Sequence, residues 1–209
     1  TDIKLAVSND QEIAFFKEYD WCPANKTVMD DLINPIIILV ELMRAQLTYN
    51  AQGGNETIKD ILEIAMSKDA SDDEISDCVA VCKAYYDNQM VAFNGIGMCF
   101  PDVVVKNKIV GGEVLKTRGI RNNNAVNYET EFNKLTHLNE TLQLHCTSNG
   151  SVQMTNDGPM ASFTAAVEIA YELGNEAVKD GVFAHTLGTE LGTGWVDEAG
   201  RIPEIPLEV

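Results

Sequence analysis

The sequence predicts an α/β fold with a mixed β-sheet flanked by helices, and three observations carry that expectation. The chain opens on two β-type runs joined by a short polar turn. Three segments of helical apolar spacing follow. Beyond Met90, β-type runs alternate with helical ones, the order that packs helices against a sheet. Hydrophobic residues make up 45% of the 209 positions, which supplies a sizeable core and argues against a disordered chain. The sequence holds no repeat and no low-complexity tract.

The opening runs, Ile3 to Val7 and Glu12 to Tyr19, flank Ser8-Asn9-Asp10-Gln11 and read as a hairpin. Trp21-Cys22-Pro23 begins a connector. Thr27 stands where a helix cap belongs, with Asp30 in the first turn after it. Leu32, Ile33, Ile36, Ile37, Val40 and Met43 recur at helical spacing, which predicts a helix over residues 28–48. Pro35 is a place for a kink or a restart. Gln52-Gly53-Gly54-Asn55 ends that helix. Ile58, Ile61, Leu62 and Ala65 share one face of a second, over Thr57 to Met66. Ser71 and Glu74 make a capping box for a third, with Ile75, Cys78, Val79, Cys82 and Tyr86 facing inward.

Val91 to Cys99 is a nearly continuous apolar run and reads as a buried parallel strand that ends at Phe100-Pro101-Asp102. A small excursion follows, with Val103-Val104-Val105 and Lys108-Ile109-Val110 as edge strands, and Asn122-Asn123-Asn124 is loop. Tyr128 to Leu144 holds one helix, broken near His137. Ser151 to Met154 is a short strand that runs into Thr155-Asn156-Asp157-Gly158-Pro159. Met160 to Leu173 is an alanine-dense helix, with Pro159 suited to its first turn. The run Gly181 to Leu187 then turns through Gly188-Thr189-Glu190-Leu191-Gly192-Thr193-Gly194 into Trp195-Val196.

The formal net charge of −17 argues against binding to a nucleic-acid phosphate backbone, which normally needs a basic face. An anionic nucleotide remains compatible, through glycine-loop amides and a metal ion. Five cysteines are scattered (Cys22, Cys78, Cys82, Cys99, Cys146) and read as reduced thiols, not a disulfide framework. The longest apolar stretch, around Ile36 to Val40, is too short to span a bilayer. The expected location is cytoplasmic, with no membrane partner, and the sequons at Asn25, Asn55 and Asn139 read as accidental. Thr1 is not a methionine and leads straight into a strand. Both chain ends are expected to be cuts through a longer protein.

Three pieces of chemistry stand at strand ends: Pro101-Asp102, Asn156-Asp157, and Gly188 to Gly194. Glycines without Cβ let successive N–H groups face one anion, and threonines add hydroxyl donors. Asp157, between a β-run and a helix, is placed as a general base toward a substrate hydroxyl or as a metal holder. Asn156 beside it suits a polyol. Phosphoryl transfer asks for such a base, a donor-rich cradle and Mg²⁺.

In that order, strand, Phe100-Pro101, excursion, Asn156-Asp157, alanine-rich helix, strand and Leu187-Gly188-Thr189-Glu190-Leu191-Gly192-Thr193-Gly194, the chain resembles the ROK sugar-kinase family of the actin-like ATPase superfamily. The resemblance implies a ribonuclease H-like lobe, with residues 1–180 as a first lobe and 181–209 as the start of a second. It implies Asp157 as catalytic base, Asn156, Pro101 and Asp102 as substrate contacts, and Thr1, Gly188, Thr189, Gly192, Thr193 and Gly194 around the phosphates of ATP. The implied ligands are a small-molecule sugar, a nucleotide and Mg²⁺, with a homodimer as the candidate assembly. Asp102 stands where the family has glycine, as does Glu190, and the family's zinc-binding His and Cys cluster is not found. These departures keep two alternatives open, a non-catalytic sugar sensor with a kinase-like fold and an actin-like ATPase acting on a protein. A chain lacking the family's first phosphate loop and most of its second lobe is expected to be inactive alone.

Other residues have blander readings. Cys78 and Cys82 share a helix face as core thiols, since nothing completes four metal ligands. His185 reads as a satisfied strand histidine, and Cys99 as an unactivated thiol. The acidic cluster Asp69 to Glu74 reads as a solvated helix start, without the spacing of a calcium loop.

Overall fold

A computed structural model describes residues 2–10, 12–111, 115–187 and 191–203. The protein is mixed α/β. Its described chain divides into two compact units, Thr1–Ile96 with Leu115–Ser151, and Gly97–Val114 with Val152–Val209. In place of one mixed sheet, the described strands form four two-stranded sheets.

In the first unit, β1 (Asp2–Asn9) and β2 (Glu12–Asp20) pair antiparallel, with a register shift between Val7 and Ser8. The helices are α1 (Met29–Gln52), α2 (Glu56–Met66) and α3 (Asp72–Tyr85). Leu39, Leu42, Ala45, Ile58, Leu62, Ala65, Ile75, Cys78, Val79 and Cys82 bury one another between the three helices, and Ile3, Leu5 and Tyr19 of the hairpin cover that core. Helix α1 is long and apolar enough to cross a membrane, which the short apolar run at Ile36 to Val40 did not reveal. Half of its most apolar stretch is buried within the protein, however, where it forms the spine of this core.

The helix ends follow their local chemistry with one exception. Gly53 adopts φ 74° just past α1, a left-handed turn that glycine takes without cost. Asn55 accepts the Ile58 amide at the start of α2, and the Ser71–Glu74 capping box is complete. Thr27, however, is not the cap of α1. The cap position is Val28, and the Met29 amide donates instead to the Glu131 carboxylate, 2.6 Å away and 102 positions along the chain. Helix α1 runs unbroken through Pro35. A short α4 (Arg118–Arg121), α5 (Tyr128–Thr136) and α6 (Leu138–Gln143) complete this unit's helices, with the break at His137 where the sequence placed it.

Strands β3 (Phe93–Phe100) and β6 (Cys146–Asn156) pair with each other and have residues in both units. The expectation of a buried strand at Val91 to Cys99 does not hold. Only Phe100 of β3 is buried, because the strand has a single neighbour and no sheet around it. The second unit adds β4 (Val104–Val105) and β5 (Lys108–Ile109), a tight hairpin whose turn residues Lys106 and Asn107 both have positive φ. It then adds α7 (Asp157–Leu173) and the antiparallel hairpin β7 (Val182–Leu187) and β8 (Leu191–Val196), which packs on α7.

Candidate functional site

The start of α7 is where the second unit's polar chemistry collects. Asn156 caps the helix, its side-chain carbonyl accepting the Gly158 amide at 2.9 Å. Its side-chain amide donates to the Asp102 carbonyl at 2.8 Å. One N–H and one lone pair of that side chain stay available to a ligand. Asp102 is buried in the turn after β3, and its Oδ1 accepts the Val103 amide at 2.7 Å. Asp157 is exposed in the first helical turn.

The glycine-threonine segment meets the same helix start. Gly192, Thr193 and Gly194 are not loop residues, since β8 begins at Leu191 and pairs Gly192 with Thr186, Thr193 with His185 and Gly194 with Ala184. A Cβ on Gly194 would lie 2.4 Å from Pro159 Cα, and one on Gly158 would lie 2.6 Å from the Thr193 carbonyl oxygen. The glycines therefore permit backbone-to-backbone contact between β8 and the first turn of α7, which no side chain would allow. The expected roles of Thr1, Gly188 and Thr189 fall on positions outside the described residues, as does Glu190.

Cys99 borders this site, and His185 lies on the opposite face of the β7–β8 hairpin. Burial and, second to it, the Asp157 carboxylate push the Cys99 thiol above its ordinary range. The thiol is thus held protonated and is a poor nucleophile. His185 Nδ1 lies 2.9 Å from Thr193 Oγ1, and the Phe183 ring meets the imidazole edge-on, with centroids 4.7 Å apart. The histidine pairing was readable in principle, because an antiparallel register that sets 187 opposite 191 sets 185 opposite 193.

The first unit offers less. An open cleft there is lined by Tyr19, Lys26, Asp31, Asn34 and Asp72. Tyr19 donates its hydroxyl to the Asp72 carboxylate, and burial together with that carboxylate drives its phenol far above its ordinary range. A phenol so held neither gives nor takes a proton near neutrality. Among the described residues no three His, Cys, Asp or Glu side chains gather as a metal site.

Compared with known proteins, the chain matches no family model, no curated protein and no solved structure.

Proposed function

We propose that the protein is a cytoplasmic ROK-type sugar kinase built on an actin-like ATPase lobe, transferring the γ-phosphoryl group of ATP to a sugar hydroxyl. The observation that carries this reading is the meeting, within one unit, of Asn156-Asp157, the Asp102 turn and the Gly192-Thr193-Gly194 strand at the N-terminus of α7. These are the pieces in which the family resemblance places sugar, base and phosphates.

The exposed Asp157 carboxylate is free of the capping work done by Asn156. It accepts the proton of the attacking hydroxyl. Asn156, pinned at both ends of its amide, offers its remaining N–H and lone pair to a neighbouring hydroxyl. The helix start presents a positive dipole end toward anionic oxygens. Mg²⁺, which takes one or two carboxylates and keeps the rest of its shell as phosphate and water, fits a site with one exposed aspartate. ATP bound with Mg²⁺ supplies the phosphoryl group with its charge partly neutralised.

In the whole protein, Asp157→Asn is expected to lower turnover by about 10²–10⁴-fold while sugar binding measured by calorimetry is kept. Normal turnover in that variant would overturn the assignment. A second reading, the non-catalytic sugar sensor, draws on Asp102, which is buried with Oδ1 on the Val103 amide and is not offered to a ligand. Sugar binding in the unaltered protein without any ATP-dependent product selects the sensor.

A further inference from the structure

We infer that Asn107, at the tip of the β4–β5 hairpin, is a positioning residue that sets where the Asn156-Asp157 pair stands. This rests on the kinase reading, in which Asp157 takes the proton of the attacking hydroxyl. Val104 pairs with Ile109 and Val105 with Lys108, which leaves Lys106 and Asn107 as a two-residue turn with φ of 48° and 65°. Asparagine suits such a turn for its backbone alone. Here its side chain also reaches another element. Nδ2 donates to the Val152 carbonyl at 2.7 Å, and Oδ1 accepts the Met154 amide. The carboxamide thus bonds β6 as one residue of a neighbouring parallel strand would, taking the carbonyl before Gln153 and the amide after it. One partner is a carbonyl and the other an N–H, so the orientation of the Asn107 amide is fixed.

The same excursion holds β6 a second time. At its root the Asp102 carbonyl accepts Asn156 Nδ2 at 2.8 Å, while Asn156 Oδ1 accepts the Gly158 amide at 2.9 Å. All of these residues lie in one unit. Residues 152–156 are therefore gripped by the tip and by the root of one hairpin, and Asp157 follows directly. Val152 and Met154 are buried, which limits water as a substitute for Asn107. Ile109 is fully buried on β5, so apolar packing keeps the hairpin in place without the clip. What the clip adds is the exact standing of the strand end. Without it, Asn156, Asp157 and the sugar they hold shift together against the phosphoryl donor, so the chemical step slows while binding persists.

The test compares the whole unaltered protein with Asn107→Gly, which takes the left-handed turn freely and removes both clip bonds. Amide exchange followed by NMR is expected to speed up about fivefold at Met154, the loss of one hydrogen bond. Sugar-kinase kinetics are expected to show kcat lowered about tenfold, with KM for sugar and for ATP within about twofold. Unchanged exchange at Met154 overturns the clip itself. Faster exchange with unchanged kcat overturns the positioning role, as does a rise of both KM values together with a lowered Tm, which marks a purely structural residue. These results leave the kinase reading standing. An unaltered protein that forms no sugar phosphate from ATP overturns that reading, and the inference with it.

Discussion

The carboxylate of Glu131 accepts the first amide of α1 at 2.6 Å and pairs with Lys134 at 2.9 Å. The Met29 amide first, and Lys134 after it, hold Glu131 below the usual carboxylate range, so the cap is charged at neutral pH. Helix starts leave four amides without intrahelical partners, and the buried Met29 amide has no water to turn to. Lys17 does the converse service for α2. Its buried ammonium donates at 2.7 Å to the carbonyl of Ser67, just past the last turn. Removing the acceptor altogether in Glu131→Ala is expected to cost about 1–2 kcal/mol in urea unfolding, with Glu131→Gln, which keeps a neutral acceptor, losing less. Equal stability of Glu131→Ala and the unaltered protein would show that another group satisfies the Met29 amide.

At the level of elements, α1 is tied to the entry of β6 through Arg44 and His145. The Arg44 guanidinium donates to the carbonyls of Met90 and Val91, and its Nη1 lies 3.3 Å from His145 Nδ1. Burial is the main cause that lowers the His145 pKa, with the positive charges of Arg44 and Lys83 adding to it and Glu41 opposing. A histidine whose pKa is depressed by folding takes its proton more readily in the unfolded chain. Its contribution to stability is therefore present above the unfolded value of about 6.5 and is lost as pH falls below it. Thermal melts should show a drop in stability between about pH 7 and pH 5.5 that is shallower in His145→Gln. An identical slope in both proteins would assign the loss to carboxylates alone.

These long-range ties also mark where the sequence stops being legible. The hairpin of β1 and β2, the existence of helices α1 to α3 and the capping box at Ser71 follow from spacing and cap chemistry within a dozen residues and stand as expected, whereas the Thr27 cap and the break at Pro35 expected of α1 do not. The cap at Glu131 and the buried lysine at 17 depend on partners dozens of positions away, and local patterns carry no trace of them. The run at Val91 to Cys99 has the composition of a sheet interior, but burial depends on how many strands flank it, and β3 has one. At the candidate site, Asn156 was legible as a strand-to-helix residue, while its hold on the Asp102 carbonyl was not. The glycines at 192 and 194 were legible as positions of close backbone approach. What approaches them, the first turn of α7, was not.

Over the whole molecule, 32 acidic residues against 15 basic ones set a self-repulsion that local pairs offset only in part. The ion pairs Lys4–Glu18, Lys68–Glu18 and Lys134–Asp30 join exposed side chains, the kind that contribute little and weaken in salt. Raising ionic strength from about 0.01 M to about 0.15 M shortens the screening length from about 30 Å to about 8 Å. That separation is long enough to keep adjacent pairs attractive and short enough to mute repulsion across the molecule. The net effect is expected to be stabilising by about 1 kcal/mol, which for a chain of this size raises Tm by about 2–4 °C. Melts in sodium chloride measure it. A Tm that is flat or falling with salt would mean that the paired charges outweigh the excess of negative ones. If MgCl₂ raised Tm further than sodium chloride at equal ionic strength, the surplus would report Mg²⁺ bound by the folded state over and above screening.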